Sequence, residues 1–329
     1  MSLRIISKGV LDTVQDCGRY GFQHLGINPG GVMDSLAAQL TNIVAGNNRD
    51  EAVIEMHFPA STYLFEEDAL FALGGADFSA TINDQSIPLY TPVIIRKYSA
   101  LQFKRQVKGA RCYLSVHGGL KLQQWLKSYS THLKAKAGGL EGRSLQLNDQ
   151  LYFNEQHVYI SLTGESDVYV LPWQADHEIF YTSKDHIRIC EGPEYNQLTP
   201  DSQVAINESF FSITTQSDRM GYRMRGAELT QQRQEELVSS AVVSGTVQLL
   251  PNGQLVILMA DHQTTGGYPR VANVITADLP ILAQLTANQS VQFQKVDHAA
   301  AEQILMQQNL CLEKVQNACT LRWSEFFNQ

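Results

Sequence analysis

The sequence lacks the short motifs that assign a catalytic machinery directly. It contains no G-x-x-x-x-G-K-[ST] phosphate loop, no H-E-x-x-H zinc helix, no G-x-S-x-G nucleophile turn and no G-x-G-x-x-G after a strand. It also contains no Ala-Met-Lys-Met type segment that would carry a biotinylated lysine. Chemistry that depends on ATP or biotin would therefore have its usual machinery elsewhere.

Paired cysteines and long hydrophobic runs are missing as well. The five cysteines are scattered and no C-x-x-C occurs, so the sequence indicates neither a zinc knuckle nor a dithiol redox motif. Reduced thiols acting as small apolar residues are the simplest interpretation. No apolar run approaches the length of a membrane span, and residues 1–8 lack the apolar core of a signal peptide. We therefore expect a cytoplasmic protein with no membrane partner.

Positive charge is sparse. The 25 lysines and arginines are outnumbered by 33 acidic residues, which gives a formal net charge of −8, and no long basic cluster occurs. This balance argues against nucleic acid or an anionic membrane as the main partner, because both attract a basic surface. It leaves room for a local basic pocket that binds a small anion.

Short apolar runs separated by turn residues dominate the chain. With 329 residues, 43% of them hydrophobic and 18% charged, the sequence is that of a globular protein long enough for two domains. Short strands at spacings of roughly 8–12 residues are typical of a sandwich or barrel. The pattern loosens between Trp173 and Asp185, so we expect one β-rich unit at 1–175 and another at 186–329. The expected strands include 52–56, 61–65, 69–73, 111–116, 187–190 and 210–213.

Two helices and a weak internal repeat complete this outline. Asp34 and Ser35 are suited to cap a helix over 36–44, and a C-terminal helix is expected from Asp297 onward. Leu, Asn, Leu or Val, and Phe recur at the same offsets in 145–153 and in 285–293. The repeat is expected if the two β units are related.

One stretch, 256–269, has the features of a site supported by a strand. It begins as a continuous apolar run, which is the pattern of a buried strand, and then changes abruptly to Asp261-His-Gln-Thr-Thr-Gly-Gly-Tyr268. Paired glycines permit positive φ and close approach of a ligand, and successive N–H groups can form an anion-binding nest. The alternative is a tight turn with hydrogen-bonded side chains.

Three polar clusters contain the residue types that bind anions and move protons. The arginine fork suits carboxylate and phosphate, whereas aspartates suit Mg²⁺ or proton transfer. Each cluster has an alternative interpretation as an Asp–Arg pair that braces two loops. His24, His117 and His262 are expected to be hydrogen-bonded loop residues, since no second ligand stands at metal-ligand spacing. The clusters are Gln15, Asp16 and Arg19; Ser217, Asp218, Arg219, Tyr222 and Arg223; and Asp261, Gln263, Thr264, Thr265, Gly266, Gly267 and Tyr268.

Taken together, these segments resemble the KipA-like family, which includes allophanate hydrolase subunit 2, the C subunit of 5-oxoprolinase and part of the carboxyltransferase domain of urea carboxylase. The similar segments follow in a consistent order from about Gly9 to Asp297. Three places differ from the common pattern: 240–243 is Ser-Ala-Val-Val where many relatives have Ser-Glu-Gly-Val, His262 stands where arginine is frequent, and 127–131 is Lys-Ser-Tyr-Ser-Thr in place of Gly-Ser-Arg-Ser-Thr. The matching motifs are Thr13-Val-Gln-Asp-x-Gly-Arg-x-Gly21, Gly30-Gly-Val-Met-Asp34, Leu73-Gly-Gly-Ala-Asp77, Gly138-Gly-x-x-Gly-Arg143, Ser217-Asp-Arg-Met-Gly-Tyr-Arg223 and Ala260-Asp-x-Gln-Thr-Thr-Gly-Gly-Tyr-Pro269.

The resemblance implies a mainly β fold of two cyclophilin-like β-barrel units with a few helices, including one at the C-terminus. It also implies an obligate KipI-like partner. In the 5-oxoprolinase complex this pair acts with a third subunit, using ATP and Mg²⁺, to open the lactam of 5-oxo-L-proline to L-glutamate. Such a site needs cations for the carboxylate and phosphates, together with acidic groups for the metal.

This chemistry suggests roles for the clusters. Asp261, Asp218 and Arg219 are the expected catalytic residues, with the aspartates handling metal or proton. Arg219 and Arg223 are expected to bind anions, and 264–267 to cradle the substrate. The remaining expected substrate-binding residues are Gln15, Asp16, Arg19, Tyr222, Gln263 and Tyr268.

Two other functions stay open. One is a biotin-dependent carboxyltransferase component of the urea–allophanate pathway, which would be accompanied by a biotin carrier and a carboxylase. The other is a non-catalytic KipA-type regulator that binds a kinase inhibitor. A regulator would not need the clustered aspartates and arginines, so it ranks third.

Overall fold

The computed structural model describes residues 1–154, 166–181, 186–233 and 237–327, and it is mainly β, as the sequence predicts. The chain divides into two compact units. The first consists of Met1–Gly18, Asp34–Ile179 and Cys311–Gln329, and the second of Arg19–Met33 and Phe180–Leu310.

The unit boundaries differ in detail from a single cut in the sequence. The main change of unit follows Ile179. The division at 1–175 and 186–329 stays a prediction, and residues 182–185 lie outside the described residues. Two further segments, 19–33 and 311–329, group with the unit that is distant in sequence. No pattern in the sequence predicts this grouping.

The first unit contains twelve strands and one complete helix within its described residues. Its strands lie in two six-stranded sheets, with the orders β11-β1-β4-β9-β6-β7 and β12-β8-β5-β10-β3-β2. In chain order the elements are β1 (Ser2–Ser7), β2 (Thr13–Gln15), α1 (Ser35–Val44), β3 (Val53–Met56), β4 (Thr62–Phe65), β5 (Ala69–Asp77), β6 (Ala80–Ile82), β7 (Gln85–Ser86), β8 (Val93–Ile95), β9 (Ala100–Phe103), β10 (Lys108–Val116), β11 (Gln150–Tyr152) and β12 (Val168–Val170).

Apolar side chains from both sheets form one core in this unit. Phe65 from one sheet and Phe71 from the other lie with ring centroids 5.4 Å apart. Because side chains alternate along a strand, Leu70 points to the opposite face, where it packs in a second cluster with Trp323. The first unit is therefore a layered β structure that is apolar on both faces of its central strands.

Helix α1 begins where the sequence predicts. The Asp34 side chain accepts a hydrogen bond from Ala37 N at 2.8 Å, which caps the helix N-terminus. The helix crosses β5 closely, since a Cβ on Gly74 would lie 2.0 Å from Thr41 Oγ1. Glycine at this position therefore permits the contact between helix and sheet.

The second unit closes into a seven-stranded barrel with the order β13-β20-β17-β18-β15-β14-β21. The parallel pair β13–β21 completes the ring, and the other pairs are antiparallel. A closed barrel leaves no edge strand exposed. The elements from residue 186 onward are β13 (His186–Glu191), α2 (Pro200–Glu208), β14 (Phe210–Ile213), β15 (Gly221–Arg225), β16 (Ser240–Ala241), β17 (Thr246–Leu249), β18 (Leu255–Leu258), β19 (Thr265–Gly266), β20 (Arg270–Val274), α3 (Leu279–Ala283), β21 (Ser290–Lys295) and α4 (His298–Phe327), and the part of α4 from Cys311 groups with the first unit.

The barrel core is filled by alternate residues of its strands. Val247, Leu249 and Ile257 belong to it, and the rings of Phe211 and Phe293 lie 5.3 Å apart inside. β17 and β18 form a hairpin, and the expected C-terminal helix is confirmed as α4. Within the described ranges, no helix combines the length and the apolar character that a membrane span requires.

The internal repeat corresponds to the same backbone turn in each unit. Asn148 and Asn288 both adopt left-handed φ values, 68° and 70°. Asn148 N donates to Ile5 O at 2.9 Å in the first unit, and Asn288 N donates to Ile213 O at 2.7 Å in the second. Because asparagine tolerates the left-handed region, its recurrence in the sequence marked a real structural equivalence.

Candidate functional site

An arginine–aspartate pair at the end of two neighbouring barrel strands forms the centre of the candidate site in the second unit. Arg219 Nε lies 2.8 Å from Asp261 Oδ2, and Nη2 lies 3.1 Å from Oδ1, so the fork binds the carboxylate with two parallel bonds. The pairing of β15 with β18, with Gly221 opposite Leu258, places both residues at the same end of the barrel. Register therefore joins residues that are far apart in sequence.

This pair is largely removed from water and is tied to the backbone around it. The Arg219 side chain is 6% exposed and that of Asp261 is 19% exposed. Arg219 Nη2 also donates to Gly31 O at 2.5 Å, and Asp261 N donates to Arg219 O at 2.8 Å. Charge-assisted, bidentate bonds of this kind fix geometry strongly. The alternative interpretation of this cluster, a pair that braces loops, therefore describes part of what it does.

The segment 19–33 places a second arginine in the neighbourhood of the Asp261 carboxylate. A Cβ built on Gly30, which has a φ of 62°, would lie 3.0 Å from Arg19 Nη1 and 3.7 Å from Asp261 Oδ1. Arg19 is buried, and its N–H donates to Pro29 O at 2.8 Å. Gly30 is required here by its left-handed backbone and by the close approach of Arg19. Each of the three sequence clusters thus contributes one residue to this location: Arg19, Arg219 and Asp261.

The other residues of the 217–223 cluster point in different directions. Asp218 is exposed, and its Oδ1 accepts bonds from the backbone N–H groups of Met220 and Gly221, so it stabilises its own turn. On β15, Tyr222 lies in the barrel core, whereas the next residue, Arg223, is exposed. The alternation of a strand separates these two side chains.

The segment after Asp261 forms a short strand where the sequence suggested a glycine nest. Thr265 and Gly266 constitute β19, which pairs with β16 through Ser240↔Gly266 and Ala241↔Thr265. We call this pair the β16–β19 ribbon. Neither Gly266 nor Gly267 has positive φ, so neither uses the left-handed backbone that glycine permits. Pairing with β16 explains the extended conformation. Exposed side chains along this segment belong to Gln263, Thr265 and Tyr268, and Thr264 is partly buried.

Gln15 and Asp16 belong to the first unit, whereas Arg19 belongs to the second. Asp16 accepts hydrogen bonds from Ser128 Oγ at 2.7 Å, Ser130 Oγ at 2.5 Å and Tyr129 N at 2.6 Å. Its carboxylate is thus engaged in holding the 128–130 loop. Gln15 is buried as well, and its amide nitrogen donates to Thr13 Oγ1 at 3.0 Å and to Thr131 O at 3.4 Å.

His262, beside the arginine–aspartate pair, is a buried loop residue. Its Nδ1 lies 2.5 Å from Gln263 O, and since a carbonyl only accepts, Nδ1 carries the proton. Burial lowers the pKa of His262 below its ordinary value, against the smaller raising effects of that carbonyl and of Asp261. The ring is therefore neutral near pH 7. The prediction that His262 is a hydrogen-bonded loop residue is confirmed.

The arrangement does not offer a ready site for Mg²⁺. Both oxygens of Asp261 are bound by Arg219, and the described residues contain no group of three His, Cys, Asp or Glu side chains that could hold a metal ion. A divalent cation prefers free carboxylate oxygens. The Asp261 carboxylate in this geometry therefore fits an orienting role better than that of a metal ligand.

Two residues near the ribbon carry little signal in the sequence and were missed there. Gln248 on β17 is buried although its side chain points away from the barrel core. Arg270 on β20 forms a bidentate pair with Glu194, with Nη2–Oε1 at 2.8 Å and Nε–Oε2 at 3.0 Å, and its Nη1 donates to Ala241 O at 3.3 Å. The sequence feature that could have drawn attention to Gln248 is its position as a polar residue inside an apolar run. No sequence feature distinguishes Arg270.

Comparisons with known proteins agree on one family. Residues 25–295 match the family described as carboxyltransferase domain, subdomain A and B. The chain is 36% identical over 303 residues to the C subunit of 5-oxoprolinase from Haemophilus influenzae, covering 92% of this chain and 94% of that protein. It is 37% identical over 291 residues to the Escherichia coli protein of the same name, covering 88% and 90%.

A solved structure of urea amidolyase from K. lactis matches the fold with a TM-score of 0.84 at 25% identity. The match covers 95% of this chain and 20% of that one, so the chain spans about a fifth of that larger protein. Sequence and fold therefore lead to the same assignment, and the chain belongs to the family of carboxyltransferase domains that comprise subdomains A and B.

Proposed function

We propose that the chain is a subunit of an ATP-dependent 5-oxoprolinase complex that opens 5-oxo-L-proline to L-glutamate. The observation that carries the proposal is the 36% identity to a protein named as the C subunit of 5-oxoprolinase, which extends over nearly the whole of both chains. The proposed partners are a KipI-like subunit and a third subunit. ATP would activate the lactam by phosphorylating its oxygen, which makes a poor electrophile hydrolysable.

Within this complex, the arginine–aspartate pair is proposed to set the geometry of the substrate site. Arg219 holds Asp261 in one orientation at the end of β18. Arg223 is exposed on β15 and is suited to an anionic group of the substrate. The segment 264–267 lies directly after Asp261 and presents polar side chains and backbone to a ligand. Asp218 stabilises the turn before β15 and Tyr222 packs in the barrel core, whereas Gln15 and Asp16, which belong to the first unit, are kept as proposed substrate-binding residues.

The central residue can be tested directly. Asp261→Asn keeps the size of the side chain and one oxygen acceptor but removes the charge, so we expect it to abolish activity of the complex while the chain stays folded. The measurement is ATP-dependent glutamate formation by purified complexes, with circular dichroism as the check on folding. Turnover at the wild-type rate would exclude Asp261 from the site.

The second candidate function is a biotin-dependent carboxyltransferase acting on urea. The TM-score of 0.84 with urea amidolyase favours it, and so does the family description. The same purified complex can be offered 5-oxo-L-proline with ATP, or urea with bicarbonate, ATP and a biotinylated carrier. Glutamate as the product supports the first proposal, whereas carboxylated urea supports the second. A non-catalytic regulator of a kinase inhibitor would give neither product.

A further inference from the structure

A buried amide lies beneath the β16–β19 ribbon of the second unit. Val247 and Leu249 on β17 belong to the barrel core, so the side chain between them, Gln248, points outward. It is nevertheless only 2% exposed. The ribbon covers it, because a Cβ on Gly266 would lie 2.5 Å from Gln248 Nε2.

The amide nitrogen of Gln248 has no hydrogen-bond acceptor among the residues that the structure describes. Most buried polar groups in proteins are satisfied, and an unsatisfied donor lowers stability. A methionine or leucine at this position would fill similar space without that cost. The presence of glutamine therefore requires an explanation other than packing.

A second amide faces the same point. The position of a Cβ on Gly266 is 3.6 Å from Gln263 Nε2. Gly266 does not have positive φ, so its backbone conformation does not require glycine. Glycine is required because a side chain would collide with the Gln248 amide. Two N–H₂ groups thus converge on one small volume, a donor arrangement that suits an oxygen acceptor.

The barrel wall is irregular at this point. In the pairing of β17 with β20, Val247 is opposite Ala272 but Gln248 is opposite Arg270, so one residue of β20 is skipped. Bulges of this kind turn side chains and are frequent beside binding sites. Arg270 on the same wall donates to Ala241 O in the ribbon. Among the described residues the ladder of the ribbon has two residue pairs, extended by the bond from Val242 N to Thr264 O at 3.1 Å, so opening the ribbon breaks few backbone hydrogen bonds.

We propose that Gln248 is a substrate-binding residue whose Nε2–H₂ group donates to a carbonyl or carboxylate oxygen that enters under the β16–β19 ribbon. The ribbon lifts from β17 to admit the ligand, and the ligand oxygen supplies the acceptor that the amide lacks. The ligand class is a small amide or carboxylic acid. For 5-oxo-L-proline this inference rests on the proposed function, since that lactam carries both groups.

The test replaces Gln248 by methionine, which has a similar length and no donor. The matched control is Gln254→Met, the same substitution in the turn of the same β17–β18 hairpin. Each variant is purified in the full complex, and its KM, kcat and thermal midpoint are measured together with calorimetric Kd values for 5-oxo-L-proline and for urea. Assays are run well below both unfolding midpoints.

The expected result for Gln248→Met is a KM and Kd raised by about tenfold, since one hydrogen bond to the ligand is lost. The thermal midpoint should stay the same or rise, because an unsatisfied donor is removed. Gln254→Met should leave both quantities unchanged. Gly266→Ala gives an independent check: its Cβ would displace the amide or the ribbon, so KM should rise although Gln248 is intact.

The outcomes separate this inference from the proposed function. Wild-type KM and Kd values in Gln248→Met would overturn the inference and leave the oxoprolinase proposal standing. If the wild-type complex binds urea but not 5-oxo-L-proline, and Gln248→Met loses that binding, the inference is supported and the oxoprolinase proposal is refuted. If neither compound binds to the wild-type complex, the assignment of a ligand to this amide is overturned.

Discussion

Removing the charge of Asp261 should destabilise the second unit by an amount that its burial determines. Loss of one partner from a fully buried ion pair costs about 3–5 kcal/mol, because the other charge is left uncompensated. Asp261 is 19% exposed, and asparagine still offers one oxygen to the Arg219 fork. We therefore expect Asp261→Asn to lower the free energy of unfolding by about 2 kcal/mol.

The assay is denaturant-induced unfolding followed by two probes. The tryptophans, Trp125, Trp173 and Trp323, all belong to the first unit, so their fluorescence reports that unit, whereas far-ultraviolet circular dichroism reports both. The midpoint seen by circular dichroism should move at an unchanged slope. Asp218→Asn is the matched control, since Asp218 is exposed and its Oδ1 acceptor is retained; we expect a change below about 0.5 kcal/mol.

A double-mutant cycle identifies the pair as the cause. Arg219→Lys keeps the charge but loses the bidentate fork, and we expect its cost to depend on whether Asp261 is present, with a coupling of about 1 kcal/mol or more. Additive effects, or a cost of Asp261→Asn below about 0.5 kcal/mol, would refute the claim that a buried ion pair organises this end of the barrel.

The remaining predictions concern pH, a buried carboxylate and two glycines. Burial lowers the pKa of His262 below the ordinary value of 6.5, so as the pH falls below that value the unfolded chain takes up the proton first and the folded state loses stability. His262→Asn should therefore make the free energy of unfolding less dependent on pH, by up to about 1.4 kcal/mol per pH unit. A variant with the same pH profile as the wild type would contradict this. Asp16→Ala should lower the free energy of unfolding of the first unit by about 2–4 kcal/mol, because the donors of the 128–130 loop lose their acceptor. The tryptophan fluorescence transition should then occur at a lower denaturant concentration, and an unshifted transition would show that the carboxylate is dispensable. Gly142→Ala should lower the thermal midpoint far more than Gly21→Ala. Both glycines have positive φ, but an added Cβ would lie 2.0 Å from Lys136 C at Gly142, whereas it would meet nothing within 4 Å at Gly21. Equal losses of thermal midpoint would contradict the steric argument.

The sequence was sufficient for features that depend on local periodicity and turn chemistry. Short apolar runs separated by turn residues predicted the mainly β class, Asp34 predicted the start of α1, and the recurring asparagines predicted equivalent turns at residues 148 and 288. Each of these depends on neighbours within a few positions, which a sequence displays directly.

The register between strands that are distant in sequence could not be predicted from the sequence. Arg219 and Asp261 were both candidates, but their pairing follows from the β15–β18 register, which periodicity alone does not define. The sequence suggested positive φ as one use of Gly266, whereas in the structure its lack of a side chain makes room for the Gln248 amide. Gln248 itself was overlooked because the environment that makes it unusual, a ribbon folded over the outside of a barrel, exists only in three dimensions.

The measurement that tests the proposed function most directly is ATP-dependent release of glutamate from 5-oxo-L-proline. The chain is purified together with its KipI-like partner, supplied with the third subunit, and compared with the same mixture from which this chain is omitted. We predict glutamate only when the chain and ATP are both present. Glutamate formed at the same rate without the chain, or none from a folded and fully assembled complex, would contradict the proposal.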